Sequence, residues 1–286
     1  MSRLRTAGVL LAFAVPLAAQ QPIDVRARTT RPGDVFLVTV ASGVAPSVRV
    51  FDRDWPAYPA SGGTWRALVG IDLDTKPGRY ELTVRMGESF ARRTVTVQPR
   101  VFPTRRLSVD PDLVHPPADQ QARIERETRE VTEIWDHPAP KRLWGAPFEA
   151  PVPDAANSAF GTRSIYNGEA RSPHTGADFL SPAGRPIHAP NDGRVVLAAP
   201  LYFSGNTVII DHGLGVFSLL AHLSEIDVKA GDTVTRGELV GKVGATGRVT
   251  GPHLHWAVRV GHARVDPLAL LAVAGSTAGG PQQEGQ

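Results

Sequence analysis

Short runs in which apolar and polar positions alternate, or β-branched residues follow one another, fill the chain from about Pro22 to Val97. Examples are Val35-Phe36-Leu37-Val38-Thr39-Val40, Ser47-Val48-Arg49-Val50-Phe51 and Tyr80-Glu81-Leu82-Thr83-Val84-Arg85. A period of two marks a strand, because successive side chains point to opposite faces. Turn signals at Arg31-Pro32-Gly33-Asp34 and Lys76-Pro77-Gly78-Arg79 separate the runs. The spacing predicts a small all-β sandwich of immunoglobulin-like type over residues 20–98. It carries no cluster of reactive side chains and reads as a spacer or docking module.

The pattern breaks over residues 99–153, where Pro99, Pro103, Pro111, Pro116, Pro117, Pro138, Pro140 and Pro147 punctuate a charged stretch. Within this linker, Ala118 to Asp136 is rich in Glu, Arg and Gln and brings Ile124, Val131, Ile134 and Trp135 near one helical face. One solvated helix is predicted there, with no site assigned to it. Trp135 and Trp144 are expected to pack against a neighbouring domain. Strand signals return over residues 154–274, as in Gly193-Arg194-Val195-Val196-Leu197-Ala198, Thr207-Val208-Ile209-Ile210, Val216-Phe217-Ser218-Leu219-Leu220 and Trp256-Ala257-Val258-Arg259-Val260. No long amphipathic pattern interrupts them. A mainly β protein is therefore predicted, its C-terminal unit a mostly antiparallel, strongly curved sheet. Residues 275–286 are small and polar and read as a disordered tail.

The first residues combine Arg3 and Arg5 with an apolar run over residues 7–19. That run is well short of the ~20 residues of a membrane-spanning helix. Residues 1–19 read as a signal peptide, which places the protein outside the cytoplasm, in the periplasm, in the medium or on the wall. Loss of Arg3 and Arg5 with that leader lowers the formal charge of +3 by two. No Lys/Arg stripe remains to bind nucleic acid, and only a weak association with a wall or membrane surface is expected. Cysteine is absent, so a metal must be held by His and carboxylates.

Three local patterns carry the candidate chemistry. In His174-Thr-Gly-Ala-Asp178, Pro173, Gly176 and Pro182 disfavour a helix, and on an extended segment residues four apart share a face. In His253-Leu-His255-Trp256, alternation sends both histidines into one cavity and turns Leu254 and Trp256 into the core. Leu219-Leu220-Ala221-His222-Leu223 places a third histidine at the end of an apolar strand. Catalytic zinc commonly takes three His or carboxylate ligands and keeps one position for water. His174, Asp178 and one of the paired histidines meet that count. The leftover histidine and His222 then stand as free imidazoles suited to proton transfer. No His-Glu-x-x-His helix is present, Gly237 to Val243 lacks phosphate-loop spacing, and neither a Gly-x-Ser-x-Gly elbow nor a thiol nucleophile exists.

With these residues in order, the segment from about Ala170 to Pro267 resembles the lysostaphin/LytM-type zinc endopeptidases, whose marks are His-x-x-x-Asp, a strand ending in Ala-His-Leu, and a Gly-rich loop running into His-Leu-His. Connecting segments such as Ala189-Pro-Asn-Asp-Gly193, Gly205-Asn206, Gly244-Ala-Thr-Gly247 and Val265-Asp-Pro267 extend the likeness. Two departures are Ala177 before the aspartate and Val249-Thr-Gly-Pro252 before the paired site. The resemblance implies one zinc per chain on His174, Asp178 and His255, with His222 and His253 catalytic. It also implies hydrolysis of amide bonds in peptidoglycan stem or cross-bridge peptides. Tyr202 and Asn206 are candidates to line the substrate groove. His188, His212 and His262 keep a structural reading. The competing readings are a non-catalytic wall-binding activator of a separate amidase, and an endopeptidase acting on other peptides.

Overall fold

The computed structural model describes residues 23–108, 116–157 and 160–274; the segments read above as a signal peptide and a disordered tail lie outside these. Two four-stranded antiparallel sheets form the N-terminal sandwich. Their strands are β1 (Asp24–Ala27), β2 (Val35–Ala41), β3 (Ser47–Val50), β4 (Arg53–Trp55), β5 (Tyr58–Ala60), β6 (Thr64–Gly70), β7 (Gly78–Met86) and β8 (Ser89–Val97). The sheet orders are β1-β2-β6-β5 and β4-β3-β7-β8. Alternation decides the outer sheet, where Val48, Val50, Leu82, Val84, Val95 and Val97 turn inward. The apolar run of β2 is different, because Val35, Phe36, Leu37 and Val38 are all buried. Such a continuous run belongs to a strand covered on both faces. One face of the β2–β6 sheet meets its partner sheet and the other meets the C-terminal unit.

That second contact is close. A Cβ on Gly70 would stand 2.8 Å from the Ala263 Cβ and 3.0 Å from Val265. Charge pairs fasten the same junction: the Arg264 guanidinium lies 2.6 Å from Asp72 and 2.8 Å from Asp74, and Arg100 lies 3.1 Å from Asp266. Sandwich and C-terminal unit share one hydrophobic core. Trp144, Phe148 and Val152, in the Pro-rich stretch, are buried in it, and the Trp144 ring packs edge-on against Tyr58 at 5.4 Å.

β9 (Thr104–Leu107) lies in the Pro-rich stretch, and the C-terminal unit comprises β10 (Ala156–Asn157), β11 (Arg163–Tyr166), β12 (Glu169–Ala170), β13 (Gly176–Phe179), β14 (Pro186–His188), β15 (Gly193–Leu201), β16 (Gly205–Asp211), β17 (Val216–Ile226), β18 (Thr233–Val234), β19 (Leu239–Val243), β20 (Leu254–Val260) and β21 (Ala263–Val265). A long antiparallel path runs β10-β13-β20-β17-β16-β15-β18, and β9 pairs parallel with β11 in a small separate sheet. Helix α1 (Gln121–Asp136) precedes this sheet and α2 (Pro267–Ala274) follows it. The helix predicted over 118–136 is therefore present, opened by a 3-10 turn at Ala118–Gln120. It is not fully solvated. Val131, Ile134 and Trp135 pack on Leu197, Leu201, Ile209 and Phe217, and the Trp135 ring meets Phe217 at 5.1 Å. No helix among the described residues is long and apolar enough to cross a membrane.

His212 is wholly buried behind this sheet. Its Nδ1–H donates to the Asp192 carbonyl at 2.8 Å, which leaves Nε2 to accept from Ser218 Oγ at 3.0 Å. Burial pushes its pKa down to about 4, against a smaller upward pull from Asp192. Between that value and the ordinary ~6.5, the unfolded chain binds a proton that the native chain does not, so stability falls as pH falls. The full effect is on the order of 3 kcal/mol. Unfolding free energies measured from pH 7 to pH 4 should show a slope of this sign, and it should be smaller in a His212→Gln variant, which keeps only the contributions of His222 and His255; identical slopes would refute the assignment.

Candidate metal centre and active site

Strand register assembles the centre. In the β13–β20 pair Asp178 stands directly opposite His255, and residues opposite one another share a face. His174 lies four residues before Asp178 and is anchored by its own backbone, whose N–H donates to Thr162 and whose carbonyl accepts from Gly161. His253 lies two residues before His255 and bridges to Gly244. On β20 the expected alternation is observed, with Leu254 and Trp256 fully buried on the opposite face.

The three donors converge tightly. His255 Nδ1 lies 2.9 Å from Asp178 Oδ1 and 2.9 Å from His174 Nε2, which is 3.0 Å from the same carboxylate oxygen. Among the described residues, these three form the group whose ligand atoms could hold one metal ion. Donors at 2.0–2.2 Å from a tetrahedral zinc stand about 3.3 Å apart, so the triangle fits such an ion after a small opening. Two imidazoles and one carboxylate, without thiolate, is also a donor set that zinc accepts. Burial pushes the Asp178 carboxyl up, but hydrogen bonds from His174 and His255 and their charges outweigh it and hold the group well below the usual carboxylate range. Burial likewise lowers the His255 pKa, favouring the neutral imidazole that can coordinate.

Gly176 makes room for this arrangement. A Cβ there would meet the Trp256 carbonyl oxygen at 2.5 Å and the His255 ring at 2.7 and 2.8 Å. The glycine between His174 and Asp178 is thus a packing requirement that the ligand spacing alone did not reveal. Gly176→Ala is expected to weaken metal affinity about 10- to 100-fold, the range seen when ligand orientation is disturbed. Titration against a competing chelator would measure it, and unchanged affinity would exclude this role.

Two further imidazoles border the triangle. His253 Nε2 lies 3.9 Å from Asp178 Oδ1, a full ångström farther than His255, while its Nδ1 lies 2.9 Å from the Gly251 carbonyl. His222 Nδ1 lies 2.9 Å from the Thr246 carbonyl. A carbonyl only accepts, so both Nδ1 atoms carry the proton and both Nε2 lone pairs are left for chemistry. The His222 ring lies 4.9 Å from that of His253 and 6.0 Å from that of His255. Burial is the main cause that pushes its pKa down to about 4.

How His222 reaches this face is not evident from strand alternation. Ala221 stands opposite His255 and Leu220 opposite Trp256, so strict alternation would send His222 to the buried Trp256 face. A bulge intervenes: Asn206 pairs with Leu223 and Val208 with Leu220, giving β17 one residue more than β16. His222 occupies it with φ 68. Bulges re-aim side chains, and a left-handed conformation at a non-glycine residue costs ~1–3 kcal/mol, so the surroundings must hold it. Its N–H donates to the Ser204 carbonyl at 2.9 Å.

Of the groove candidates, Asn206 turns its nitrogens to the fold: Nδ2 donates to the Leu223 carbonyl at 3.0 Å and its backbone N–H to Thr246 Oγ1 at 2.9 Å. The Tyr202 ring packs against Phe203 at 5.0 Å. His262 pairs with Asp136 at 3.5 Å, away from the centre.

The sequence model of peptidase family M23 matches residues 172–267. The peptidoglycan DD-endopeptidase ShyA of Vibrio cholerae is 46% identical over 89 residues, which are 31% of this chain and 21% of that protein. The DD-carboxypeptidase/endopeptidase Mpg of Neisseria meningitidis is 42% identical over 97 residues, 34% of this chain and 22% of that protein. The match therefore spans about a fifth of the length of these curated relatives. A Pseudomonas aeruginosa protein of known structure, assigned to peptidase M23, superposes with a TM-score of 0.69 at 36% identity, covering 86% of this chain and 96% of that one.

Proposed function

The chain belongs to peptidase family M23, and on that premise we propose that it is a zinc-dependent endopeptidase hydrolysing amide bonds in peptidoglycan stem or cross-bridge peptides, outside the cytoplasmic membrane. The observation that carries this reading is the triangle of His174, Asp178 and His255 with two imidazoles beside it. The three would hold one zinc ion. Bound there, zinc supplies Lewis acidity, polarising a scissile carbonyl and lowering the pKa of water toward ~7. His253 and His222 are the proton-transfer groups in this reading. With Nδ1–H donated to the Gly251 and Thr246 carbonyls, each ring presents the Nε2 lone pair in a fixed tautomer. One Nε2 accepts the proton of the attacking water, and that proton then passes to the nitrogen of the leaving amine. Between these steps the imidazole protonated at Nε2 can donate that N–H toward the negative charge on the carbonyl oxygen, while its Nδ1–H stays on the main-chain carbonyl.

Residues 154–274 make up the endopeptidase unit, residues 20–98 an accessory domain and residues 99–153 the connection, within this proposal. Tyr202 and Asn206 stay groove candidates, with Asn206 acting more through the wall than through its own amide. The test is purified protein incubated with cross-linked peptidoglycan, with zinc and with a chelator, followed by mass spectrometry of the soluble fragments. Metal-dependent release of peptide fragments is expected, and the fragment masses identify the bond. Stoichiometric zinc with no release from any cross-link type would defeat the enzymatic reading and favour a wall-binding activator.

A further inference from the structure

Helix α1 lies outside residues 172–267, the segment matched by the family, yet one of its carboxylates is built into the wall that carries His222. Glu127 is largely buried, with 15% of its side chain exposed. Its Oε2 accepts the backbone N–H of Tyr202 at 2.7 Å, and its Oε1 lies 2.6 Å from Arg123 Nε. Arg123 in turn donates from Nη2 to the Pro200 carbonyl at 3.3 Å and sits 5.9 Å from the Tyr202 ring centroid. An exposed pair at this helical spacing contributes little. This one is partly covered, and it grips main-chain atoms at the end of β15 and in the turn that follows.

The turn is the support of His222. Immediately after Tyr202, the Phe203 carbonyl accepts the Arg248 N–H at 2.9 Å, fixing the Gly-rich loop, and the Ser204 carbonyl accepts the His222 N–H at 2.9 Å. The same loop supplies the Thr246 carbonyl that receives His222 Nδ1–H. A residue held at φ 68 in a bulge depends on such contacts to keep its orientation. Three steps therefore join the helix to the imidazole: Glu127 to the Tyr202 N–H, Tyr202 through the turn to Ser204, and Ser204 to the His222 N–H.

We propose that the Arg123–Glu127 pair is a positioning unit that fixes the β15–β16 turn and, through it, the aim of His222, so that this pair, unlike the apolar face of α1, acts on the site. The inference rests on the reading of His222 as a proton-transfer group. A helix that only covered Leu197, Leu201, Ile209 and Phe217 would make a different prediction, because any substitution that loosened it equally would have an equal effect.

The experiment compares the full-length, zinc-loaded protein with Glu127→Ala, Glu127→Gln and Val131→Ala. Glu127→Ala is expected to lower kcat about 10- to 100-fold, the scale of a small misplacement of a reacting group, with KM and zinc stoichiometry unchanged. Glu127→Gln keeps an oxygen for the Tyr202 N–H and should recover most of kcat. Val131→Ala removes apolar contact from the same helix and should lower Tm while leaving kcat near wild type. Hydrogen exchange supplies a readout independent of turnover: the Tyr202 and His222 amides should exchange faster in Glu127→Ala only. Full kcat in Glu127→Ala, damage by Glu127→Gln equal to that by Glu127→Ala, or parallel losses in Val131→Ala would overturn the proposal. Should the wild-type protein bind zinc and cut nothing, the proposed function fails, while the exchange measurement still decides whether Glu127 holds His222.

Discussion

His255→Ala is expected to reduce bound zinc from about one ion per chain to nearly none, and to bring peptidoglycan hydrolysis down to background. The substitution leaves only His174 Nε2 and Asp178 Oδ1, 3.0 Å apart, where three donors had converged. A catalytic zinc site commonly rests on three protein ligands, and two neutral or singly charged donors would compete poorly with water and buffer. The strand itself should survive, because the pairing of residue 255 with Asp178 and Ala221 is made by main-chain atoms. Thermal unfolding separates these effects. Zinc at 1,000 times its Kd should stabilise the wild type by about 4 kcal/mol and leave His255→Ala unmoved, whereas the two metal-free proteins should unfold at similar temperatures. Metal analysis after dialysis checks the first part, and retention of a full equivalent of zinc would remove His255 from the ligand set.

Much of this centre was legible because β structure converts sequence spacing into position. His253-Leu-His255-Trp256 and His174-Thr-Gly-Ala-Asp178 need only a period of two to place their polar side chains on one face, and the pairing of β13 with β20 brings the two sets together. His222 needed more. Its place follows from a bulge in β17, and an inserted residue leaves no mark in a hydrophobic pattern that reads Leu219-Leu220-Ala221-His222-Leu223. The continuous apolar run of β2 announced burial but not what buried it, since a sandwich strand covered by a second unit looks the same in sequence as one in a single core. Glu127 was hidden for a different reason. On a helix rich in Glu and Arg, an i,i+4 pair reads as solvated surface, and its contact with the Tyr202 backbone, 75 residues away, is a tertiary fact. The Pro-rich stretch likewise reads as linker until Trp144, Phe148 and Val152 are found in the core.

His222→Ala should behave oppositely to His255→Ala, keeping its zinc and losing turnover by about 10²- to 10⁴-fold, the usual contribution of a positioned acid or base. His222 lies outside the ligand triangle, with its ring 6.0 Å from that of His255 and its Nδ1–H given to Thr246. Its removal therefore takes away an Nε2 lone pair but no metal donor. Because alanine is also an L residue, the left-handed backbone at position 222 gains no relief, and the Thr246 carbonyl loses a donor at a cost of roughly 1 kcal/mol. Stability should fall modestly, and KM should stay close to wild type if the imidazole acts mainly in the transition state. A residual rate is expected from His253, whose ring lies 4.9 Å away and whose Nδ1 faces the Gly251 carbonyl. Measuring kcat, KM and zinc content on both variants decides between the two roles. Equal zinc loss in His222→Ala and His255→Ala would mean that His222 coordinates, and the division into three ligands and two proton carriers would have to be redrawn around four metal donors.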